Sequence, residues 1–319
     1  MHLSAGVFAA ILAALPLASA FPPELTRNGR DEFCKTEPTD ELLALHEKIA
    51  NGDQPTLDKI AKGDEIIQEA LRNGDSGLHG RTTGLTVTKR DTGDLITLDT
   101  WFHVVYNAKT HDGGYITPEK LQEQLKVLND AYDPSNLAFR LVNSTWTENA
   151  TWADYPDDNE LAMKRALRKG DSRTVNIFFV PGLGAGGVCV FPNMGAYEGD
   201  ALALDACMVG SFSMPGNKGV YAMGKTAVHE LGHWFGLLHT FQGGCNEERG
   251  DFIADTPAER SANRGVCPAN RDTCPELPGL DPVENYMDYS SDACYDRFTP
   301  GQTSRMRALL ALVRLGPIR

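Results

Sequence analysis

Hydrophobic residues recur along the chain in segments whose spacing predicts both helices and strands. Asp40 to Ala50 and Leu57 to Leu71 have apolar residues at helical spacing. Leu95 to Tyr106 alternates with a period of two, as a half-buried strand does. Thr117-Pro118 supplies an N-cap and a first-turn proline for a further helix. The pattern therefore predicts a mixed succession of elements in one chain.

The middle of the chain continues this mixture. Ala138 to Val142 and Thr174 to Val180 are predicted as strands, and the second is continuously apolar, as a fully buried strand would be. Glu160 to Leu167 is predicted as a helix. Val188 to Phe191 is predicted as an edge strand. The sequons that begin at Asn143 and Asn149 predict glycosylated surface loops.

The pattern then breaks down. Residues 243–297 contain four cysteines and many Asp, Pro and Gly residues, with little periodicity, so we expect loops that need disulfide staples. A last helix is predicted to begin after Thr299. Pro300 takes its first position and Gln302 completes a capping box.

Both ends of the first 90 residues have the features of a processed segment. Ala5 to Leu17 is apolar and is followed by Ala18-Ser19-Ala20, which predicts a secretory signal at residues 1–20; the alternative is a buried N-terminal helix. Lys89-Arg90 is a dibasic pair, which predicts a propeptide at 21–90 and a mature domain at 91–319. The alternative is an ordinary charged pair before a strand. A net charge of −13 argues against a nucleic-acid partner, and no stretch is long enough to cross a membrane comfortably.

The stretch from His229 to His239 carries the chemistry. It reads H-E-x-x-H-x-x-G-x-x-H, and His229 and His233 lie one helical turn apart on one face. Gly236 can take a positive φ and end the helix, so that His239 turns back towards the same point. Three neutral imidazoles would hold Zn²⁺ with an open fourth position, and Glu230 would act as a base on water there. The alternative is a buried amphipathic helix that happens to contain histidines.

The motif and the run from His239 to Cys245 resemble the pappalysin branch of the metzincin metalloproteases. The resemblance implies an α+β catalytic domain, with a twisted mixed sheet and the zinc helix above an irregular lower subdomain. It also implies that Met287, in Asn285 to Ser290, is the methionine of a Met-turn beneath the metal, and that Tyr289 stabilises the oxyanion. For Tyr289 the alternative is a structural, hydrogen-bonded tyrosine.

The seven cysteines fit this picture. Cleavage after Arg90 leaves six in the mature chain, for which the resemblance suggests the pairs Cys245–Cys274, Cys267–Cys294 and Cys189–Cys207. The odd one, Cys34, falls in the propeptide. It is predicted either to occupy the open zinc position as a latency switch or to be merely an unpaired thiol.

We therefore predict a secreted, monomeric zinc endopeptidase that is made as a zymogen and cleaves extended protein or peptide substrates. The alternatives are an inactive binding protein of the same fold and a zinc hydrolase of small substrates. Calcium is a possible second ion, bound through Asp251, Asp255, Asp272 and Asp281. Asp288 and Asp292, beside the Met-turn, would select a basic substrate side chain, unless they face solvent or only shape the turn.

Overall fold

The computed structural model describes residues 33–72, 85–88, 90, 93–155, 159–193, 195, 197–246 and 250–315. The predicted signal segment lies outside these residues, as does Lys89 of the dibasic pair. No helix in the described part of the chain is both long and apolar enough to cross a bilayer.

Helices and strands are interspersed along the described ranges. The helices are α1 Asp40–Ala50, α2 Gln54–Arg72, α3 Pro118–Tyr132, α4 Ala150–Ala153, α5 Glu160–Leu167, α6 Gly199–Leu204, α7 Lys225–Trp234 and α8 Pro300–Leu309. The strands are β1 Leu85–Thr88, β2 Leu95–Tyr106, β3 Leu137–Glu148, β4 Val175–Val180, β5 Gly187–Cys189 and β6 Cys207–Gly210. This is an α+β architecture, as predicted.

The six strands form one mixed sheet. Its order is β1-β2-β4-β6-β5, and β3 also pairs with β2. Strands β2, β3, β4 and β6 are joined by parallel pairing, whereas β1 and β5 pair antiparallel with their neighbours. Strand β4 is buried along its whole length, as its unbroken apolar run predicts. The short strand β5 lies at the end of the sheet, and among the described residues its outer edge carries only an isolated bridge between Gly187 and Cys34.

The central core lies between the sheet and helices α3 and α7. Leu121 and Leu128 of α3 lie with Val228 and Leu231 of α7 in one buried cluster that also contains apolar residues of β2. Thr117 caps α3, because its side chain accepts a hydrogen bond from the backbone N–H of Lys120. This packing fixes α7 against the sheet edge formed by β5 and β6.

Below α7 the described residues between Thr240 and Phe298 form no helix or strand, and α8 is followed by a π-helical turn at Leu310–Arg314. We call residues 85–239 the upper part and residues 240–315 the lower part. The three disulfides are the pairs that the resemblance implied: Cys189–Cys207 in the upper part, and Cys245–Cys274 and Cys267–Cys294 in the lower part. The capping box of α8 is present, with Thr299 and Gln302 in the predicted roles.

The structure corrects the prediction of loops at the two sequons. β3 does not end at Val142: a register shift opposite Thr100 and Trp101 lets it run on to Glu148, so the exposed Asn143 lies within a strand. Asn149 caps the short helix α4, and its side chain accepts a hydrogen bond from the N–H of Trp152. The sequence pattern also missed β1, which pairs with the start of β2 and buries Leu85 in the core.

Candidate active site

Helix α7 holds the first two histidines in the interior. All its residues from Thr226 to Trp234 are buried. The helix ends just before Gly236, whose φ of 95° is a left-handed conformation that glycine adopts without strain. An added Cβ there would also lie 2.3 Å from a methyl carbon of Leu309. The chain therefore reverses at Gly236, and His239 returns to the histidines of the helix.

The three imidazoles converge through their Nε2 atoms. Nε2 of His233 lies 3.1 Å from Nε2 of His229 and 3.0 Å from Nε2 of His239. Nδ1 of His229 donates to the carbonyl of Tyr286, and Nδ1 of His233 donates to the carbonyl of Leu237, both at 2.7 Å. Donation from Nδ1 leaves the Nε2 lone pairs of these two rings facing the common point.

This donor set fits zinc. Nitrogen atoms bound to one tetrahedral Zn²⁺ at about 2.0–2.1 Å lie about 3.3–3.4 Å apart, close to the distances between these Nε2 atoms. The lone pairs of His229 and His233 face this point together with Nε2 of His239, and a cation bound there would stabilise them. Burial lowers the pKa of His229 to about 4 and lowers the pKa of His233 and His239 well below its usual value. The rings are therefore neutral at pH 7 and able to ligate a metal.

Met287 lies beneath the histidines. A Cβ added at Gly232 of α7 would be 2.3 Å from its sulfur, so the helix and the turn meet at a residue without a side chain. The carbonyl of Met287 accepts from the N–H of Thr240, the residue that follows the third histidine. The turn thus ties the ligand loop to the helix and provides an apolar floor.

Glu230 faces the same space from α7 without joining the nitrogen cluster. Its side chain is fully buried, and Oε1 has no hydrogen-bond partner among the described residues. Burial raises the pKa of Glu230 to about 8. A buried carboxyl group beside the three histidines, with one oxygen lacking a partner among the described residues, is placed to exchange a proton with a neighbouring water.

Tyr289 completes the site from the lower part. Its hydroxyl lies 3.1 Å from Nε2 of His239 and donates to the carbonyl oxygen of Cys34 at 3.2 Å. A peptide carbonyl therefore already accepts a hydrogen bond from this phenol next to the metal position. This geometry is what stabilisation of an oxyanion requires.

An N-terminal stretch, which we call the strap (residues 33–36), crosses the site. Sγ of Cys34 and the ligand nitrogens of the three histidines all lie within 4.8 Å of one another. Cys34 is the free cysteine among the described residues, and it is buried. Among the described residues, this is the only group of three or more His, Cys, Asp or Glu side chains whose ligand atoms lie close enough to hold one metal ion.

Thr36 joins the strap to the carboxylate of Glu230, a contact that sequence reasoning missed. Its hydroxyl donates to Oε2 of Glu230 at 3.2 Å and accepts from the N–H of Cys189 at 2.8 Å. The Cys34 thiol also points to Oε2 of Glu230, at 3.7 Å. No sequence pattern marked Thr36, because its partners lie 194 and 153 residues away.

Comparison with known proteins identifies the family. Residues 172–311 match the Peptidase_M43 family model, described as pregnancy-associated plasma protein-A. An extracellular metalloprotease of Colletotrichum graminicola is 45% identical over 79% of this chain and 86% of its own length. One of Pyricularia oryzae is 47% identical over 69% of this chain and 77% of its own length. This chain belongs to the M43 family of metallopeptidases. It is a zinc metalloendopeptidase, and the pappalysin resemblance is confirmed.

Solved structures support the fold of this M43 peptidase. Mature mirolysin of Tannerella forsythia, in complex with a cleaved peptide, has a TM-score of 0.58 at 24% identity, and the match covers 69% of this chain and 96% of that one. A mutant of promirolysin from the same organism has a TM-score of 0.61 at 22% identity, covering 90% of this chain and 96% of that one. The match to promirolysin covers more of this chain than the match to mature mirolysin does.

The four aspartates considered for calcium do not converge in this M43 peptidase. Asp255 accepts from Gly301 N–H at the start of α8, and Asp272 accepts from Cys274 N–H. Asp281 pairs with Arg271, while Asp251 accepts from Ile253 N–H. Among the described residues these aspartates are not part of a group of three or more converging side chains that could hold a metal. Calcium binding elsewhere stays a prediction.

The aspartates beside the Met-turn are buried rather than exposed. Asp288 accepts from the N–H of Asn263 and from the hydroxyl of Ser290. Asp292 accepts through Oδ2 from the N–H of Met223 at 2.7 Å, and its Oδ1 has no partner among the described residues. The sequence left open whether these aspartates select a basic substrate side chain or only shape the turn. Their backbone contacts favour the second role.

Proposed function

We propose that this M43 peptidase is secreted as a zymogen in which Cys34 blocks the metal, and that it cleaves extracellular proteins after the segment ending at Arg90 is cut off. The convergence of the Cys34 thiol with the three histidines carries the proposal. The relatives named extracellular metalloproteases support secretion. The longer match to promirolysin supports a fold that includes the pro-segment.

The ligand chemistry supports a thiolate in the blocking role. Burial raises the pKa of the Cys34 thiol well above its ordinary value. A cation held by His229, His233 and His239 reverses that preference, because zinc binds the thiolate. Cys34 would thus fill the fourth position, and substrate and water would be excluded until the strap leaves.

Helix α1 anchors the strap to the rest of the enzyme. Leu42 packs in a small cluster with Phe191 and Leu238. The buried His46 accepts a hydrogen bond through Nδ1 from the guanidinium of Arg305 in α8. Apolar burial and a specific polar contact therefore hold the segment that carries Cys34.

The proposed cut would fall between two paired strands. Arg90 is exposed and forms an ion pair with Asp133 at 2.7 Å, and its carbonyl accepts from the N–H of Gly93. Strand β1, just before it, pairs with β2 of the catalytic sheet. After cleavage the pro-segment would stay attached through β1, α1 and the strap until these contacts are lost.

Once the strap has left, the residues of the chain have distinct tasks. Zinc, when bound, supplies the Lewis acidity that polarises the scissile carbonyl. Glu230 takes the proton of the attacking water and passes it to the amide nitrogen, so that the C–N bond breaks and an amine leaves. Tyr289 donates its hydroxyl hydrogen bond to the oxygen that becomes negative, in place of the Cys34 carbonyl it holds in the precursor.

Extended protein or peptide substrates fit this site better than small molecules do. The strap is itself an extended segment on the outer edge of β5, where Lys35 N–H donates to the carbonyl of Gly187 and Gly187 N–H donates to the carbonyl of Phe33. We expect the active enzyme to be a monomer and Asn143, on the exposed part of β3, to accept a glycan.

The test compares intact and processed protein. A secreted precursor with Lys89→Ala and Arg90→Ala should be inactive, and the natural sequence should yield an active form that begins at Asp91. Adding Cys34→Ser to the uncleavable precursor should release partial activity, because a hydroxyl is a poorer zinc ligand than a thiolate. Full activity of the uncleavable precursor with Cys34 intact would disprove latency. N-terminal sequencing and a fluorogenic peptide assay provide the two readouts.

A further inference from the structure

A cleft beside the metal position opens on the side of His239. Its volume is about 400 Å³, within the range of about 300–1,000 Å³ that ligand pockets have. The strap lines it with Lys35 and Glu37, the chain after the third histidine lines it with Phe241, and the lower part lines it with Arg264. We call this space the Arg264 cleft. Neither the proposed latency nor the proposed reaction uses these four side chains, so they have no assigned task.

The floor of the Arg264 cleft is aromatic and is fixed to the metal site. The ring of Phe241 is stacked on that of His239, with centroids 4.8 Å apart and an interplanar angle of 9°. The same ring meets that of Tyr289 edge-on, with centroids 4.9 Å apart and an interplanar angle of 73°. Because a metal ligand and the Tyr289 ring both contact this floor, a side chain that lies on it is close to the scissile bond.

The wall of the cleft becomes positively charged when the strap leaves. Lys35, Glu37 and Arg264 are the lysine, acidic and arginine side chains among the described residues that line it. The first two belong to the strap, whereas Arg264 belongs to the lower part and remains in the active enzyme. Arg264 is exposed, and its guanidinium carbon lies 5.1 Å from the centroid of the Tyr289 ring. The cleft of the active enzyme therefore places a cation next to the metal position.

The precursor already places a carboxylate in this cleft. Glu37 follows Cys34, which faces the histidines, by three residues and lines the cleft. Burial raises the pKa of the Tyr289 phenol; the charge of Glu37 adds to this rise, and the charge of Arg264 opposes it. The two opposite charges therefore act on one phenol from the same cleft. Lys35 also lines the cleft, but a basic substrate side chain there would face the like charge of Arg264.

We propose that the Arg264 cleft binds an acidic side chain of the substrate through the guanidinium of Arg264, one to three residues from the scissile bond on the His239 side. The inference rests on the proposed peptidase function. The strap residues that line the cleft lie one and three positions after Cys34, which sets this range. A guanidinium donates two parallel hydrogen bonds to a carboxylate. A neutral amide in the same place lacks the charge, and a lysine is repelled.

The first experiment measures cleavage by the active secreted enzyme. A fluorogenic peptide with one cut, located by mass spectrometry, carries Glu, Gln or Lys in turn at each of the three positions on either side of the scissile bond. On one side only, we expect kcat/KM for Glu to exceed that for Gln by about three- to tenfold, and that for Lys by more. The preference should shrink at high salt, because Arg264 is exposed. Equal kcat/KM values for the three peptides at every position would overturn the proposal.

Substitutions of Arg264 assign the preference to this residue. Arg264→Gln should bring the Glu-to-Gln ratio close to one, and Arg264→Glu should make the Lys peptide the better substrate. Arg165→Gln, which loses an exposed ion pair with Asp200, is the matched control and should leave the ratio unchanged. If Arg264→Gln lowered kcat equally for all three peptides, Arg264 would act through the Tyr289 phenol rather than on the substrate, and the proposal would be wrong.

The second experiment measures binding without turnover. A peptide of residues 33–39, which keeps the Cys34 thiol as a zinc ligand, would be titrated calorimetrically into the zinc-loaded Glu230→Gln form of the active enzyme. The natural peptide should bind about threefold more tightly, or better, than its Glu37→Gln version. The two peptides should bind equally to the enzyme that also carries Arg264→Gln. Equal binding to the enzyme with Arg264 intact would contradict a carboxylate site at this residue.

These outcomes separate the inference from the function on which it rests. An enzyme that cleaves the Gln and Lys peptides as well as the Glu peptide contradicts the acidic subsite and leaves the peptidase intact. An enzyme that cleaves no peptide contradicts the proposed function, and the calorimetric series still reports whether Arg264 binds a carboxylate. The peptide series on the unsubstituted enzyme gives its answer even if a variant of Arg264 does not fold.

Discussion

The upper and lower parts of the molecule are built on different principles. The upper part buries continuous apolar faces, such as β4 with all six residues inside. The lower part has little periodic burial, and its backbone N–H groups donate to side-chain carboxylates instead. The carboxylates that accept such a bond are those of Asp251, Asp255, Asp272, Asp281, Asp288 and Asp292.

The difference matters because the active site takes residues from both parts. Helix α7 of the upper part supplies His229, His233 and Glu230, while the lower part supplies Met287 and Tyr289. A helix fixes side chains through its own hydrogen bonds, whereas a loop needs outside anchors. We therefore expect substitutions of the site residues in the upper part to lower the rate of the chemical step directly. Substitutions in the lower part should act by loosening the loops that hold its site residues in place.

The largest effect is expected at Glu230. Glu230→Gln should keep zinc bound, because the three histidines are unchanged, and should lower kcat by about 10²- to 10⁴-fold, because proton transfer is lost. Metal content and turnover would be measured on the same sample. The exposed Glu198→Gln is the matched control. Near-normal turnover in a zinc-loaded Glu230→Gln enzyme would rule out its role as base.

The second prediction concerns the disulfides. Replacing both Cys245 and Cys274 with Ser should lower the free energy of unfolding by about 2–5 kcal/mol. It should also release amide protection in residues 243–297 while the sheet stays protected. The matched change in the upper part, at Cys189 and Cys207, should leave β6 protected, because β6 still pairs with β4. Hydrogen exchange followed by mass spectrometry compares the two variants. If both variants lost amide protection uniformly along the chain, the claim that the two parts are stabilised differently would be wrong.

A smaller loss is expected from the tyrosine of the lower part. Tyr289→Phe removes one donor to the developing oxyanion and should lower kcat by about 10²-fold, with little change in stability. Tyr295→Phe, which instead loses a bond to the carbonyl of Asp288, should reduce stability rather than the chemical step. If Tyr289→Phe retains full kcat, the phenol has only the structural role.

The smallest predicted effect is a pH dependence of precursor stability. It arises where α1 contacts the upper and lower parts of the molecule. Burial, and then the charge of Arg305, lowers the pKa of His46 from 6.5 to about 3. As the pH falls, His46 therefore takes up a proton in the unfolded chain before it does so in the folded precursor. The free energy of unfolding of the precursor falls as the pH drops below 6.5. At pH 5 the loss is about 2 kcal/mol.

His46→Gln removes this titration, so its urea midpoint should fall less than that of the natural sequence between pH 7 and pH 5. Asp251, which lies near Arg305 and whose pKa is raised to about 7 by burial, contributes with the opposite sign and equally in both proteins. Identical pH profiles of the two proteins would show that His46 is not the group involved.

The same division explains what could be predicted from the sequence. The helical ligands followed from a spacing of four residues, and the turn at Gly236 followed from the need for positive φ. Strand β2 followed from its period of two, and β4 followed from its unbroken apolar run. In the lower part the residue pattern alone predicted only local devices, such as Thr299 with Gln302 at the start of α8, because the two residues of a capping box lie three positions apart. The two disulfide pairs of this part were expected only from the family resemblance.

The remaining contacts join residues far apart in sequence. Cys34 meets Glu230 across 196 positions, and Thr36 does so across 194. Val142 did not end β3, because the parallel partner β2 and a register shift, rather than local propensity, decide its length. The partners of Asp288 and Asp292 are loop N–H groups, which have no sequence signature. Such contacts depend on the assembled fold and could not be predicted from any one segment.

The zinc coordination shell of the intact precursor tests the central claim most directly. Zinc K-edge X-ray absorption on the uncleavable precursor should show one sulfur at about 2.3 Å and three nitrogens at about 2.0–2.1 Å. The sulfur should disappear after processing and in the Cys34→Ser precursor. A precursor whose zinc has only nitrogen and oxygen neighbours would contradict the account that Cys34 closes the three-histidine site.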